Sequence, residues 1–177
     1  SRGVEATFIG HPLFDEKVDY DVLDEQIQSW TRGDQNVALM PGSRPSEMKK
    51  NFPLILGAYI KLNNEHAHMR GIVAATRKEI EPTLRQIAKD AGLEWPNSLE
   101  IRFGSTDAVV RWCDMCMVVS GTVTLQIARQ HKPMVIVYKL GRIAWTLIAR
   151  WLIQPDFITL PNLIAGREIC PELVPHF

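Results

Sequence analysis

Short apolar runs recur along the chain, each followed by a longer stretch in which apolar and polar residues repeat at helical spacing. The runs Ala6 to Ile9, Asn36 to Met40, Gly71 to Ala75, Leu99 to Phe103, Met115 to Val119 and Met134 to Tyr138 predict strands. The stretches Tyr20 to Thr31, Ser46 to Asn63, Lys78 to Ala91, Thr106 to Trp112, Thr124 to Gln130 and Ile143 to Ile153 predict helices. Strands this short and apolar, separated by helices, are what a parallel sheet covered on both faces requires. The fold class read from the pattern is α/β: a Rossmann-like parallel sheet with helices on both faces. The breakers Pro41-Gly42, Gly92, Gly104, Gly121, Pro133 and Gly141 all fall between predicted elements. Open sheets of this kind bind ligands beyond the carboxyl ends of their strands, which directs attention to the loops after Met40, Ala75, Phe103, Val119 and Tyr138.

Composition narrows the class without changing it. A length of 177 residues and 46% hydrophobic content suit one domain with a core that folds without disulfides or a structural metal. Lysine plus arginine and aspartate plus glutamate number 20 each, so no net field draws the molecule to nucleic acid, and no nucleic-acid partner is expected. The first residues lack the basic and apolar stretches of a signal peptide. The chain opens without Met and runs almost directly into a strand pattern, which suggests a piece of a longer protein. Its most apolar stretch, Ile143 to Ile153, is interrupted by Arg150 and is far shorter than the roughly 20 residues of a membrane span. Three cysteines, an odd number, fit a reducing compartment such as the cytoplasm better than a secreted disulfide framework.

Two loops carry the candidate chemistry. In Leu39-Met40-Pro41-Gly42-Ser43-Arg44-Pro45-Ser46-Glu47, a strand turns tightly into a helix. Gly42 permits close backbone approach, Ser43 offers a hydroxyl, Arg44 a permanent cation, and the helix start adds N–H groups and a positive dipole. This set suits a phosphate, while a plain turn with Ser43 or Ser46 as helix cap accounts for the same spacing equally well. In Val118-Val119-Ser120-Gly121-Thr122-Val123-Thr124-Leu125-Gln126, small residues again join a strand to a helix. Ser120, Gly121 and Thr122 suit a diphosphate, and Gln126, about one turn into the helix, has the reach for a ribose or sugar hydroxyl. Here too a Ser/Thr N-cap is the competing explanation.

The remaining features are weaker. Cys113 and Cys116 have redox or zinc spacing but no second pair, and a strand beginning at Asp114 would point the thiols to opposite faces. The histidines His66, His68, His131 and His176 are scattered and read as surface residues. His11 follows a strand pattern, at the mouth of any cleft there. Trp145 and Trp151 between Arg142 and Arg150 suit either core packing or a helix lying peripherally on a bilayer. The turn-rich segment Leu160-Pro161-Asn162-Leu163-Ile164-Ala165-Gly166-Arg167-Glu168 either closes over a ligand or ties down the chain end.

Taken in order, Phe8-Ile9-Gly10-His11-Pro12-Leu13, Pro41-Gly42-Ser43-Arg44 with Glu47, Ser120 to Leu125, Pro133 to Lys139 and Leu160 to Gly166 resemble the bacterial lipid-A-disaccharide synthase family over nearly the whole chain. The resemblance implies an inverting glycosyltransferase of the two-domain GT-B fold. Such an enzyme transfers a diacylglucosaminyl group from UDP-2,3-diacylglucosamine to lipid X, 2,3-diacylglucosamine 1-phosphate, and releases UDP. It also implies that residues 1–177 form the carboxyl-terminal half, which binds the UDP-sugar donor. The lipid acceptor and the general base then belong to the amino-terminal half, so this chain alone is expected to bind UDP or UDP-sugar weakly and to catalyse nothing.

Carried over residue by residue, the resemblance puts Gly42, Ser43 and Arg44 against the UDP phosphates, where charge compensation stabilises the departing diphosphate without a metal or other cofactor. Ser120, Gly121 and Thr122 form the second wall, Asn162 approaches donor sugar or nucleotide, and His11 lies at the cleft between halves. Gln126 departs from the family pattern, which has Glu there; a carboxylate accepts two hydrogen bonds from a ribose diol, an amide oxygen less readily. Two other functions stay open: a UDP-sugar epimerase of the same architecture, and a non-catalytic nucleotide-binding module, which the change at Gln126 favours. A dinucleotide dehydrogenase would need Gly-x-Gly-x-x-Gly after the first strand, which is absent.

Overall fold

A computed structural model describes residues 12–139, 157 and 159–173. Within them the strands are β1 (Gln35–Met40), β2 (Met69–Ala75), β3 (Leu99–Phe103), β4 (Met115–Val119), β5 (Met134–Val137) and β6 (Glu172–Leu173). The helices are α1 (Tyr20–Ile27), α2 (Pro45–Glu65), α3 (Glu81–Asp90), α4 (Thr106–Trp112), α5 (Val123–Arg129) and α6 (Leu160–Ala165). All pairings are parallel, and the strand order is β3-β2-β1-β4-β5-β6. This is a Rossmann-like α/β sheet whose order reverses between β1 and β4. The strand pattern at Ala6 to Ile9 and the helix pattern at Ile143 to Ile153 lie outside the described residues. The outermost strand described, β6, comes from Glu172 and Leu173, a pair too short to show periodicity.

Burial explains the apolar runs. In β1 every residue after Gln35 is buried, because alternate side chains enter cores on opposite faces. Val37 and Leu39 join Met48, Phe52, Ile55, Leu56 and Tyr59 of α2 and Leu84 of α3. Ala38 and Met40 join Val109, Val110 and Trp112 of α4 and Ile127 of α5 on the other face. Removing each such Leu, Ile or Phe side chain from water contributes about 1.5–3 kcal/mol. Close approach of α2 to the sheet requires Gly71: a Cβ there would lie 2.5 Å from the Tyr59 ring and 2.7 Å from Leu99.

A polar knot sets how β1 meets β4. Asn36, 2% exposed, donates its backbone N–H to Asp114 Oδ2 at 2.8 Å and accepts from the Asp114 N–H at 2.7 Å. Its side-chain Nδ2 donates to the same carboxylate at 2.9 Å, and its Oδ1 accepts from Gly33 N at 2.9 Å. The knot lies at the amino ends of both strands, and the ladder beyond it pairs Val37 with Met115 through Met40 with Val118. Replacing Asn36→Ala keeps the two backbone bonds but strips the side-chain bonds to Asp114 and Gly33 from a buried site, and is expected to lower unfolding free energy by about 1–3 kcal/mol. Urea denaturation monitored by circular dichroism checks this; an unchanged midpoint would mean the backbone ladder alone holds the crossing.

Candidate functional site

The loops leaving β1 and β4 emerge side by side at the reversal of strand order. There they line one cleft of about 490 Å³, with Gly42, Ser43, Arg44 and Glu47 on one wall and Ser120, Gly121, Thr122 and Gln126 on the other. Gly42 has φ +90°, a conformation open to glycine, and a side chain there would meet Glu47 Oε2 at 3.2 Å. The tight turn follows from that residue. Arg44 is the N-cap residue of α2, with Pro45 next, and its side chain makes no capping bond. Neither Ser43 nor Ser46 therefore caps the helix, contrary to the plain-turn alternative. The Arg44 guanidinium is 77% exposed and is held at 2.8 Å by Glu47 Oε1 through Nη1.

The second wall is rigidified from within. The buried Thr124 donates its hydroxyl to the Gly121 carbonyl at 2.7 Å, and its N–H bonds the same oxygen at 3.2 Å. Thr122 is the N-cap residue of α5 without a side-chain cap bond, so the expected Ser/Thr cap is not formed there either. Gln126 is half-buried and lines both this cleft and an adjoining hollow of about 380 Å³. Thr76, after β2, and Thr106, at the start of α4, are shared by the same two spaces. Neither threonine stands in a motif that marks it in the sequence. The rule that ligands gather beyond strand carboxyl ends covers both loops, and that was the available signal.

A larger concavity of about 700 Å³ opens at the opposite ends of the strands, lined by Arg32, His68, Arg70 and Ser98 among others. It lies away from the topological switch, and no glycine turn leads from it into a helix. We therefore take the smaller cleft as the candidate site. Among the described residues no group of three or more His, Cys, Asp or Glu is arranged to hold a metal ion.

Comparison with known proteins gives this cleft its context. The family model described as Lipid-A-disaccharide synthetase matches residues 1–176. The chain belongs to this family. The lipid-A-disaccharide synthase of Anaeromyxobacter sp. strain K is 35% identical over 176 residues, covering 97% of this chain and 44% of that protein. That of Azotobacter vinelandii is 33% identical over 178 residues, covering 98% of this chain and 46% of its own length. The chain thus spans somewhat under half the length of these relatives. In fold it is similar to the Escherichia coli ADP-heptose lipopolysaccharide heptosyltransferase II, with a TM-score of 0.52 and 10% identity over 92% of this chain and 44% of that one.

Of the residues that the family resemblance singles out, seven meet in the cleft: Gly42, Ser43, Arg44, Ser120, Gly121, Thr122 and Gln126. His11 lies outside the described residues. Asn162 does not join them. It is fully buried and its polar atoms are consumed within its own segment: Oδ1 accepts from Ile169 N at 2.8 Å and Cys170 N at 3.1 Å. Its Nδ2 donates to Cys170 O at 2.8 Å and Glu172 Oε1 at 2.7 Å. The expectation of a donor contact gives way in this arrangement to a tie between α6 and β6. Loss of these buried bonds in Asn162→Ala should speed amide exchange at Ile169 and Cys170 by roughly 10-fold or more, measured by hydrogen–deuterium exchange. Unchanged protection would mean that the segment is held by other contacts.

Proposed function

We propose that this chain is the UDP-sugar donor-binding domain of a glycosyltransferase of the lipid-A-disaccharide synthase family. The parent enzyme transfers a diacylglucosaminyl group from UDP-2,3-diacylglucosamine to lipid X. The observation that carries the reading is the meeting of two helix-starting loops, Gly42 to Arg44 and Ser120 to Thr122, in one cleft at the β1/β4 switch. A diphosphate there accepts hydrogen bonds from backbone amides and hydroxyls of both loops and faces the positive end of α2. Glu47 engages Nη1 of Arg44 and leaves Nε and Nη2 for a phosphate oxygen. As the glycosidic bond to UDP breaks, negative charge grows on the diphosphate, and a guanidinium already in place lowers the barrier. The lipid acceptor and the general base are assigned to the remaining part of the parent protein. No helix among the described residues is long and apolar enough to cross a membrane. We propose that contact with the lipid substrates is peripheral, from the cytoplasmic side.

Titration of the purified chain with UDP, UMP and ADP by calorimetry tests this. Saturable binding that favours UDP is expected, and Arg44→Ala should weaken it by about 10- to 100-fold, the scale of lost charge-assisted bonds. Equal affinity for ADP, or an unaffected mutant, would remove the donor-site assignment.

Gln126 supports a second reading, a nucleotide-binding module without catalysis, because a neutral amide lies half-buried in the cleft where the family pattern has a carboxylate. Restoring the acid with Gln126→Glu should tighten UDP binding by roughly 10-fold if a ribose diol faces this position. An unchanged constant in the same calorimeter would place the ribose elsewhere.

A further inference from the structure

One pair of cysteines lies outside the candidate cleft. Cys113 and Cys116 were expected on opposite faces of a strand, but β4 begins only at Met115. Cys113 is the C-cap residue of α4, with φ −79° and ψ 161°, and this extended turn swings its side chain back over the strand start. The two sulfurs lie 3.4 Å apart, within hydrogen-bond reach of each other. Both cysteines are free and fully buried in the core beneath α4. Asp114 between them is exposed.

We infer that Cys113 and Cys116 form a reversible intramolecular disulfide when the folded protein meets a peroxide, clipping the end of α4 to the start of β4. A disulfide needs its sulfurs at about 2.05 Å, so the pair must close by only about 1.4 Å. Cys113 is the attacking group. A hydrogen bond from Cys116 and the nearby positive charge of Lys132 hold its thiol below the ordinary range, while burial and Cys113 itself push Cys116 up. Lys132 is fixed there by donating to the Cys113 carbonyl at 2.6 Å. The Cys113 thiolate attacks one peroxide oxygen, the O–O bond breaks, the sulfur becomes a sulfenic acid, and the other oxygen leaves as hydroxide that takes up a proton to give water. The Cys116 sulfur then attacks the sulfenic sulfur, the S–S bond forms, and a second water departs. Two thiols and one peroxide thus give one disulfide and two waters. Cys170, in the same core but with its sulfur 3.3 Å from Asn162 Oδ1, serves as an internal control.

The purified 177-residue chain, treated with hydrogen peroxide while folded and then denatured and alkylated with N-ethylmaleimide, should carry one alkyl group, on Cys170, where the untreated chain carries three. The peptide spanning Cys113 and Cys116 should be lighter by two hydrogens, and dithiothreitol should restore all three sites. Retention of three alkyl groups at doses that oxidise the unfolded chain would overturn the inference, as would sulfinic acid on one cysteine without a link. So would a link through Cys170. Folded Cys116→Ser, checked by circular dichroism, should stop at a sulfenic acid on Cys113 that dimedone traps. The wild-type mass measurement decides the matter even if that variant fails to fold.

Discussion

Everything in the candidate site depends on the register between β1 and β4. These strands are neighbours in the sheet but 78 residues apart in sequence at the Asn36–Asp114 knot, so no local turn fixes their alignment. Side chains alternate strictly across a sheet, so a slip of one residue would exchange the set Val37 and Leu39 for Ala38 and Met40 and misfill both cores. The reciprocal bonds of Asn36 and Asp114 oppose such a slip at one end. At the other end the same register brings Gly42 beside Val119, where an added Cβ would lie 3.9 Å from the Val119 Cβ. The two loops therefore inherit their separation from a hydrogen-bonded ladder and not from loop chemistry, which is how short flexible segments come to present an ordered cleft.

The buried asparagines share a common use. Asn36 joins β1 to β4, and Asn162 joins α6 to β6. Asn51, 1% exposed, donates to Glu47 O at 2.9 Å and accepts from Lys139 N at 2.7 Å, so it bridges α2 to the chain leaving β5. An amide both donates and accepts, which lets one side chain satisfy backbone groups of two elements at once. Asn36, Asn51 and Asn162 each supply a partner to a backbone N–H outside the helices and strands, of Gly33, Lys139 and Ile169 respectively. These buried amides are thus spent on fastening one element to another.

Much of this was legible in the chain. Strands β1, β2, β4 and β5 are visible because strands covered on both faces are largely apolar, edge strand β3 shows instead by the alternation Leu99-Glu100-Ile101-Arg102-Phe103, and the Pro41-Gly42 and Ser120-Gly121 breaks mark the loops that meet. The misreadings have physical causes. The cysteine pair was judged by strand alternation although Cys113 belongs to a helix end, where alternation does not apply. Asn162 stood in a segment rich in turn formers, and nothing in such a segment tells a polar side chain turned inward from one turned to a ligand. Strand β6 has only two residues and is recruited by pairing with Ile136 and Val137, a long-range effect without local signal. Thr76 and Thr106 each look like ordinary loop residues until β2 and α4 bring them to the same rim.

Gln126 stands on the ridge between two hollows, and its chemistry makes that ridge directional. An amide has two unlike ends, an oxygen that accepts and a nitrogen that donates, and a half-turn about the last side-chain bond exchanges them. A carboxylate at the same point would ask for donors on both sides. The amide that lines both hollows therefore offers both senses of hydrogen bond, where an acid would offer one.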